Sequence, residues 1–327
     1  MTVLVTGSAG HLGEALVRAF RLAGREVAGI DILESPFTSH TGSIVDRDFV
    51  ARCMAGVETI LHSATLHKPH VGTHSRQDFI DTNITGTLNL LEEAVAADVK
   101  SFVFTSTTSV FGDALIPPPH SPTAWITEDV APIPKNIYGV TKASAEDFCQ
   151  LFHRNHGLSC VVLRTSRFFP EEDDNEATRH AYADANIKAN EFLFRRVDIE
   201  DVVNAHMRAA QKAPSIGFAR YIISATTPFS PDDLRELRTD APQVLQRRIP
   251  RYRAEYERRS WRMFPSIDRV YVNDRARNDL GWQPKYDFHH TISCLAEDND
   301  PRSPLACVIG SKGYHAREFD KGPYPLA

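Results

Sequence analysis

Tyr138 and Lys142 stand four residues apart in Tyr138-Gly139-Val140-Thr141-Lys142, a spacing that puts phenol and ammonium on one face of a helix. There the two can share one reacting proton. A run of hydroxyls, Thr105-Ser106-Thr107-Thr108-Ser109, precedes them, and the chain opens on a glycine-rich turn. A secondary alcohol does not readily release hydride unless its hydroxyl proton leaves too. Tyr138 is the candidate base. A free phenol, with a pKa of about 10, is a poor base at neutral pH. Lys142, together with an oxidised nicotinamide, would stabilise the phenolate and draw its pKa toward the working range. These residue types in this order describe removal of hydride from an alcohol.

The hydride needs an acceptor. Thr6-Gly7-Ser8-Ala9-Gly10-His11-Leu12-Gly13 follows a predicted strand and opens a predicted helix. Glycine suits a sharp turn where backbone N–H groups must approach a pyrophosphate, and the helix N-terminus adds partial positive charge. Strand, turn, helix, second strand and terminal acid all occur in sequence, the pattern of a dinucleotide site. That acid, Asp31, can accept both ribose hydroxyls of the adenosine and would repel a 2′-phosphate. No arginine follows it in Ile32-Leu33-Glu34, so the expected cofactor is NAD rather than NADP.

The elements that must position these residues are legible as alternating strands and helices, the mark of βαβ units and a parallel sheet. Strands are expected at 3–5, 27–31, 59–62, 101–104 and 160–163. Leu12, Ala15, Leu16, Ala19, Phe20 and Ala23 recur at helical spacing before Gly24. Further helices are expected at 82–97 and 138–155. With 327 residues the chain can bury a large core, and a net charge of −5 implies no bulk attraction to nucleic acid or an anionic membrane. No apolar run reaches membrane-spanning length. Met1 to Gly7 reads as a first strand, without the basic start of a signal peptide. The five cysteines show no paired spacing and read as buried or incidental thiols. A soluble cytoplasmic enzyme is the expectation. Glu171 to Glu176 reads as a solvated loop, and residues 298–327, with Pro301, Pro304, Pro323 and Pro325, as an extended tail. The arginine-rich stretch 245–263 reads as an exposed charged helix, with a positive wall for an anionic substrate as the alternative.

The chain resembles the extended short-chain dehydrogenase/reductase family, in its branch of NAD-dependent epimerases and dehydratases. The likeness rests on Thr6 to Gly13, on Leu61-His62-Ser63-Ala64, on Asn83 to Leu91, and on Phe104 to Gly112. It continues through Tyr138 to Lys142, Val197 to Val203, and Ala276 to Pro284. The resemblance implies an α/β fold: a Rossmann-type doubly wound parallel sheet over residues 1–166, rejoined by 196–225. A smaller substrate lobe would be built from 167–195 and 226–297. It further implies that Ile44 packs near the adenine, that Ser63 and Ala64 line the cofactor, and that Asn83 braces the sheet beside it. The cofactor set so read is Gly7, Gly10, His11, Leu12, Gly13, Asp31, Ile32, Ile44, Ser63, Ala64, Asn83, Thr105, Tyr138, Lys142 and Thr165. Alignment of Val110-Phe111-Gly112 with the family's Val-Tyr-Gly puts Thr107 at the usual serine position, where its hydroxyl can meet the substrate oxygen as charge develops. Family members commonly form dimers through the two helices that here hold Asn83 and Tyr138, so a homodimer is expected.

For the reaction, family dehydratases carry an acid pair where this chain has Thr108 and Ser109, which cannot supply a carboxylic proton. Dehydration is disfavoured. Epimerisation with retained NAD remains, as does net oxidation or reduction with release of NADH; the motif set looks most like sugar 4-epimerases. Substrate contacts are expected from Thr65, His67, Lys68, Thr108, Ser109 and Arg167. Arg167 stands where nucleotide-sugar enzymes usually have a polar residue, and it suits a smaller acidic substrate, such as a sugar acid or lactone, equally well. His67, His70 and His74 lack a zinc-like spacing and no cysteine joins them, so no metal is expected. A non-catalytic NAD(H) sensor on the same fold is disfavoured by the intact tyrosine–lysine pair.

Overall fold

In the computed structural model, which describes residues 2–315, 319 and 322–325, the first strand feeds two hydrophobic cores at once. Val3 and Val5 of β1 (Thr2–Thr6) pack with Leu12, Leu16 and Phe20, while Leu4 between them packs with Ile30, Ile60 and Leu90. Successive strand side chains leave opposite faces, so a strand apolar at every position must be covered on both sides. Helix α1 (His11–Leu22) and the helix Ile199–Ile216 cover one face. The other is covered by α2 (Arg47–Cys53), by α4 (Gly86–Ala96) and by α5 (Ile137–His156). The second of these begins as α3 (Arg76–Phe79) and passes through a π-helical stretch, Ile80–Thr85, that carries Asn83.

The remaining strands are β2 (Glu26–Asp31), β3 (His40–Thr41), β4 (Val57–His62), β5 (Ser101–Thr107), β6 (Ala124–Ile126), β7 (Cys160–Thr165), β8 (Phe218–Ile223) and β9 (Arg269–Tyr271). Six of them join β1 in one seven-stranded parallel sheet in the order β3-β2-β1-β4-β5-β7-β8. This is the Rossmann-type doubly wound architecture. The chain reverses its direction of travel across the sheet between β1 and β4, and such switch points leave a crevice at the carboxyl ends of the strands.

β6 and β9 form a separate two-stranded parallel sheet. A further core, with Phe194, Leu237, Val244, Tyr256, Val270 and Phe288, lies entirely within residues 189–295. Ala276, Leu280 and Trp282 pack instead into the core under β1, where the Trp282 indole donates to the Asp201 carbonyl at 3.0 Å.

Local chemistry sets the ends of the elements that matter. Asn136 caps α5, its side chain accepting from Gly139 N at 3.1 Å, and Gly157 closes the helix in the left-handed region. β5 and β7 each run past the apolar stretch read from sequence, to Thr107 and Thr165, because polar residues that end a strand still pair in the ladder.

Two sequence expectations require correction. Residues 298–327 are not simply extended: Ser303 accepts from Ala306 N at 3.0 Å and starts a helix at Pro304–Ile309, with proline where no intrahelical donor is needed. Residues 316–318, 320, 321, 326 and 327 of that tail lie outside the described residues. The acidic run at 171–176 is not simply solvated either, since Asp173 is buried and bonded to two arginines.

Candidate active site

A cleft of about 1000 Å³ opens along the carboxyl ends of β1, β2, β4, β5 and β7. At one end is the glycine turn. Gly7 adopts φ +72°, and a β-carbon there would lie 2.8 Å from Ala64 N. A β-carbon on Gly13 would sit 1.9 Å from the Gly7 carbonyl oxygen. Only glycine allows β1, the loop after β4 and the start of α1 to meet this closely. No side chain caps the N-terminus of α1, so its first N–H groups could meet an anion. The Asp31 carboxylate accepts from Ala9 N at 3.0 Å and Leu33 N at 2.9 Å, which fixes it at the end of β2 with lone pairs to spare. Ile32 is exposed at the rim, and Ile44 is buried against Gly86. Ser63 Oγ donates to the Thr6 carbonyl at 2.7 Å, while Ser63 N and Ala64 N donate to Thr6 Oγ1, each at 3.1 Å.

Asn83 bridges two segments beside the cleft. Its amide donates to Thr141 Oγ1 at 3.0 Å and to the Leu66 carbonyl at 2.9 Å, while its oxygen accepts from Leu66 N and the Thr65 hydroxyl, both at 2.9 Å. It ties the loop after β4 to the helix that carries Tyr138 and Lys142.

Both of those residues are buried, at 8% and 2% exposure. Burial pushes the Tyr138 phenol up to about 12, against the pull of the neighbouring Thr107 hydroxyl. Burial likewise drives the Lys142 ammonium down to about 7, opposed by Glu146 and Cys149. Lys142 Nζ donates to the Thr105 carbonyl at 2.6 Å and lies 3.9 Å from the Phe104 ring centre. Thr105 Oγ1 pairs with His206 Nε2 at 2.8 Å, and Thr165 Oγ1 donates to the Ser106 carbonyl at 3.0 Å. Thr108 and Ser109 follow Thr107 along the cleft wall.

At the other end the expected substrate contacts are largely engaged already. Arg167 faces Asp173 at 2.6 Å, Glu191 at 3.0 Å and Asp174 at 3.4 Å. Burial works against its charge, but those carboxylates outweigh burial and hold the guanidinium above its usual value. Lys68 pairs with Asp174. The His67 ring sits among His70 at 4.6 Å, Tyr314 at 5.2 Å and Phe169 at 5.5 Å. Burial, with His70 and His315 nearby, keeps its imidazole well below the usual range. His11 does not stand clear beside the turn: its ring lies 6.0 Å from that of Phe168 and 5.4 Å from that of Phe169, and its Nδ1 is buried without a partner. Arginines of the 245–263 stretch pair with Glu236, Asp233, Glu257, Glu255 and Asp298, away from the cleft, as an exposed charged surface would.

Sequence reasoning missed several residues that line the cleft: Glu171, Arg195, Arg269, Tyr271 and, from the tail, Tyr314 and Tyr324. Arg195 sat in a visible departure from the family pattern. The others carry no motif, because short lobe elements and a tail folding back over the sheet leave no periodic signal.

A parallel sheet with a glycine turn at its switch point and a buried tyrosine–lysine pair beside it defines a dinucleotide-dependent enzyme of the short-chain dehydrogenase/reductase kind. The model of the NAD dependent epimerase/dehydratase family matches residues 3–221, and the chain belongs to that family. Its cofactor is therefore NAD, and the glycine turn, the free N-terminus of α1 and Asp31 fit it. A UDP-glucose 4-epimerase of Halalkalibacterium halodurans is 30% identical over 175 residues, spanning 50% of this chain and 50% of that protein. A 3-beta-hydroxysteroid dehydrogenase of Mycolicibacterium neoaurum is 24% identical over 344 residues, 90% of either chain. Among solved structures, UDP-glucose 4-epimerase of Thermotoga maritima with UDP-glucose shares the fold, with TM-score 0.62 at 23% identity over 91% of this chain and 98% of its own.

Proposed function

We propose that this enzyme oxidises a secondary hydroxyl of a sugar or nucleotide-sugar and returns the hydride to the same carbon from the other face, as a 4-epimerase does. The observation that carries the reading is the placement of Thr107 and Tyr138 together on the wall of the cleft that begins at the glycine turn, with buried Lys142 one helical turn along from Tyr138. Bound NAD supplies the hydride acceptor and a positive charge. Around it, the protein's own groups manage the proton. With the phenol near 12 and the ammonium near 7, the pair rests as neutral phenol and neutral amine at pH 8 to 11. Each group resists ionising alone, and an ammonium at Lys142 would offset part of the cost of forming the phenolate. A nearby cation lowers the cost further. The phenolate then takes the substrate's hydroxyl proton while Thr107 donates to the same oxygen.

Thr108 and Ser109 place no carboxylic acid beside the reacting carbon, which supports epimerisation over dehydration. A dehydrogenase that releases NADH is the second reading, supported by the dehydrogenase relative that aligns over 90% of either chain. NAD content of the purified protein, followed by incubation with UDP-glucose, UDP-glucuronate and free uronic acids, tests the choice. Retained NAD and an epimeric product, without lasting absorbance from reduced nicotinamide, are expected. Stoichiometric NADH in solution would replace the first reading with the second.

A further inference from the structure

Arg269 is unlike the other arginines at the substrate end. Of the four carboxylates there, Asp173, Asp174 and Glu191 serve Arg167, Arg195, Arg196 and Lys68, while Glu171 accepts from Ser311 Oγ and Gly313 N. Burial opposes the charge of Glu191, but Arg195, Arg196 and Arg167 hold its carboxyl down at about 2, so it is ionised and fully used. Arg269 lies close enough to Arg195 to act against that residue's charge, yet its guanidinium makes no hydrogen bond or ion pair among the described residues. Its Nε is buried without a partner, and so is that of Arg195. The outer nitrogens of Arg269 are neither bonded nor enclosed, and the residue lines the cleft.

The backbone holds it there. Residues alternate along β9, so Val270 enters the lobe core while Arg269 and Tyr271 face the cleft. Pairing with β6, Ala124 opposite Arg269, fixes the register, and the Tyr271 ring is backed by Phe111 at 6.5 Å. Two neighbouring guanidinium groups with too few counter-ions are unfavourable in a partly buried site, and an incoming oxyanion removes the deficit. A planar fork of N–H donors suits a carboxylate or a phosphate.

We infer that Arg269, not Arg167, is the residue that selects an anionic substrate, holding a carboxylate or phosphate oxyanion while Tyr138 works on a hydroxyl of the same molecule. The inference deepens the proposed function and rests on it for the identity of the reacting group. Its test uses NAD-loaded enzyme and calorimetric titration with UDP, with UDP-glucuronate and with free glucuronate, in wild type, Arg269→Met and Arg269→Lys. Arg269→Met should weaken binding of the recognised anion roughly ten- to hundred-fold, as loss of a charge-assisted hydrogen bond does. Arg269→Lys should recover part of it. NAD content should stay unchanged, and the melting temperature equal or higher because a repulsion is relieved. Equal weakening of UDP and UDP-glucuronate supports a diphosphate contact; weakening of both glucuronates but not UDP supports a sugar carboxylate. Wild-type affinity of Arg269→Met for all three ligands overturns the inference. Arg269-dependent binding without any epimer formed would sink only the proposed reaction, while epimer formation with Arg269-independent binding would sink only the inference.

Discussion

At the scale of single residues, Tyr138 and Lys142 are placed where neither is comfortable as an ion. Tyr138→Phe removes the proposed proton acceptor while keeping the ring that fills the space. Turnover should fall by roughly a hundred- to ten-thousand-fold, the usual worth of a positioned general base, with NAD content unchanged. Wild-type turnover would remove Tyr138 from the chemistry. Lys142→Met tests the other half through stability. The ammonium is lowered from 10.5 to about 7 in the folded protein, chiefly by burial. Between those values the unfolded chain binds a proton that the folded chain does not, so stability rises with pH across that window, and below pH 7 the whole penalty is present. The melting temperature of Lys142→Met relative to wild type should therefore be higher at pH 6 than at pH 10. An equal difference at both pH values would show that Lys142 keeps its ordinary affinity for protons.

Secondary-structure elements were legible in the sequence where one periodicity covers a whole segment. β1, α1, β2, α4 and α5 carry unbroken apolar patterns, and the motifs of the cofactor end sit at their boundaries, so Gly7, Asp31, Asn83, Tyr138 and Lys142 could be placed in advance. β9 has three residues and β6 three, too short for any alternation to register. Arg269 was invisible for that reason. The acidic run at 171–176 misled because charge alone says nothing of its partners: Arg167 and Arg195, far apart in sequence from one another, turn Asp173 inward. The same scale carries the expectation of a dimer. Val140 and Leu151 on α5 are 46% and 37% exposed, and Ile80 on the adjoining π-helical stretch is 37% exposed. An apolar stripe shared by these two helices would suit a self-complementary interface. Val140→Glu should convert a dimeric wild type to monomer in sedimentation velocity, with little change in the fold. A wild type that sediments as a monomer would dispose of the interface.

Over the whole molecule, the tail joins parts of the cleft that the sheet keeps apart. Lys312 pairs with Glu14 on α1 at 2.5 Å, and the Gly310 backbone and Lys312 lie near the His11 ring. Glu171, after β7, accepts from Ser311 Oγ at 2.8 Å and Gly313 N at 3.2 Å, and Tyr324 donates to Asp174 at 3.0 Å. The loop after β4 is joined through His70 Nε2 and the Tyr314 carbonyl at 3.2 Å, and through His315 Nε2 and the Pro69 carbonyl at 3.0 Å. His11 and His70 are both lowered from 6.5 to about 4, foremost by burial. In the folded state they stay neutral to about that value, whereas the unfolded chain takes up protons from about 6.5 downward. Their contribution is complete above pH 6.5 and is lost as pH falls toward 4. Removing the residues after Gly310 leaves Ile309 in its core and the His11 ring on Phe168 and Phe169, but takes Lys312 from beside His11 and Tyr314 and His315 from beside His70, so both proton affinities should move back toward the ordinary value. Scanning calorimetry of the shortened chain should show a lower melting temperature at pH 7 and a shallower decline between pH 6.5 and 4.5 than the full chain. An unchanged slope would mean that the tail does not shield these rings, and that the wall it forms over the substrate end is not held by the contacts named here.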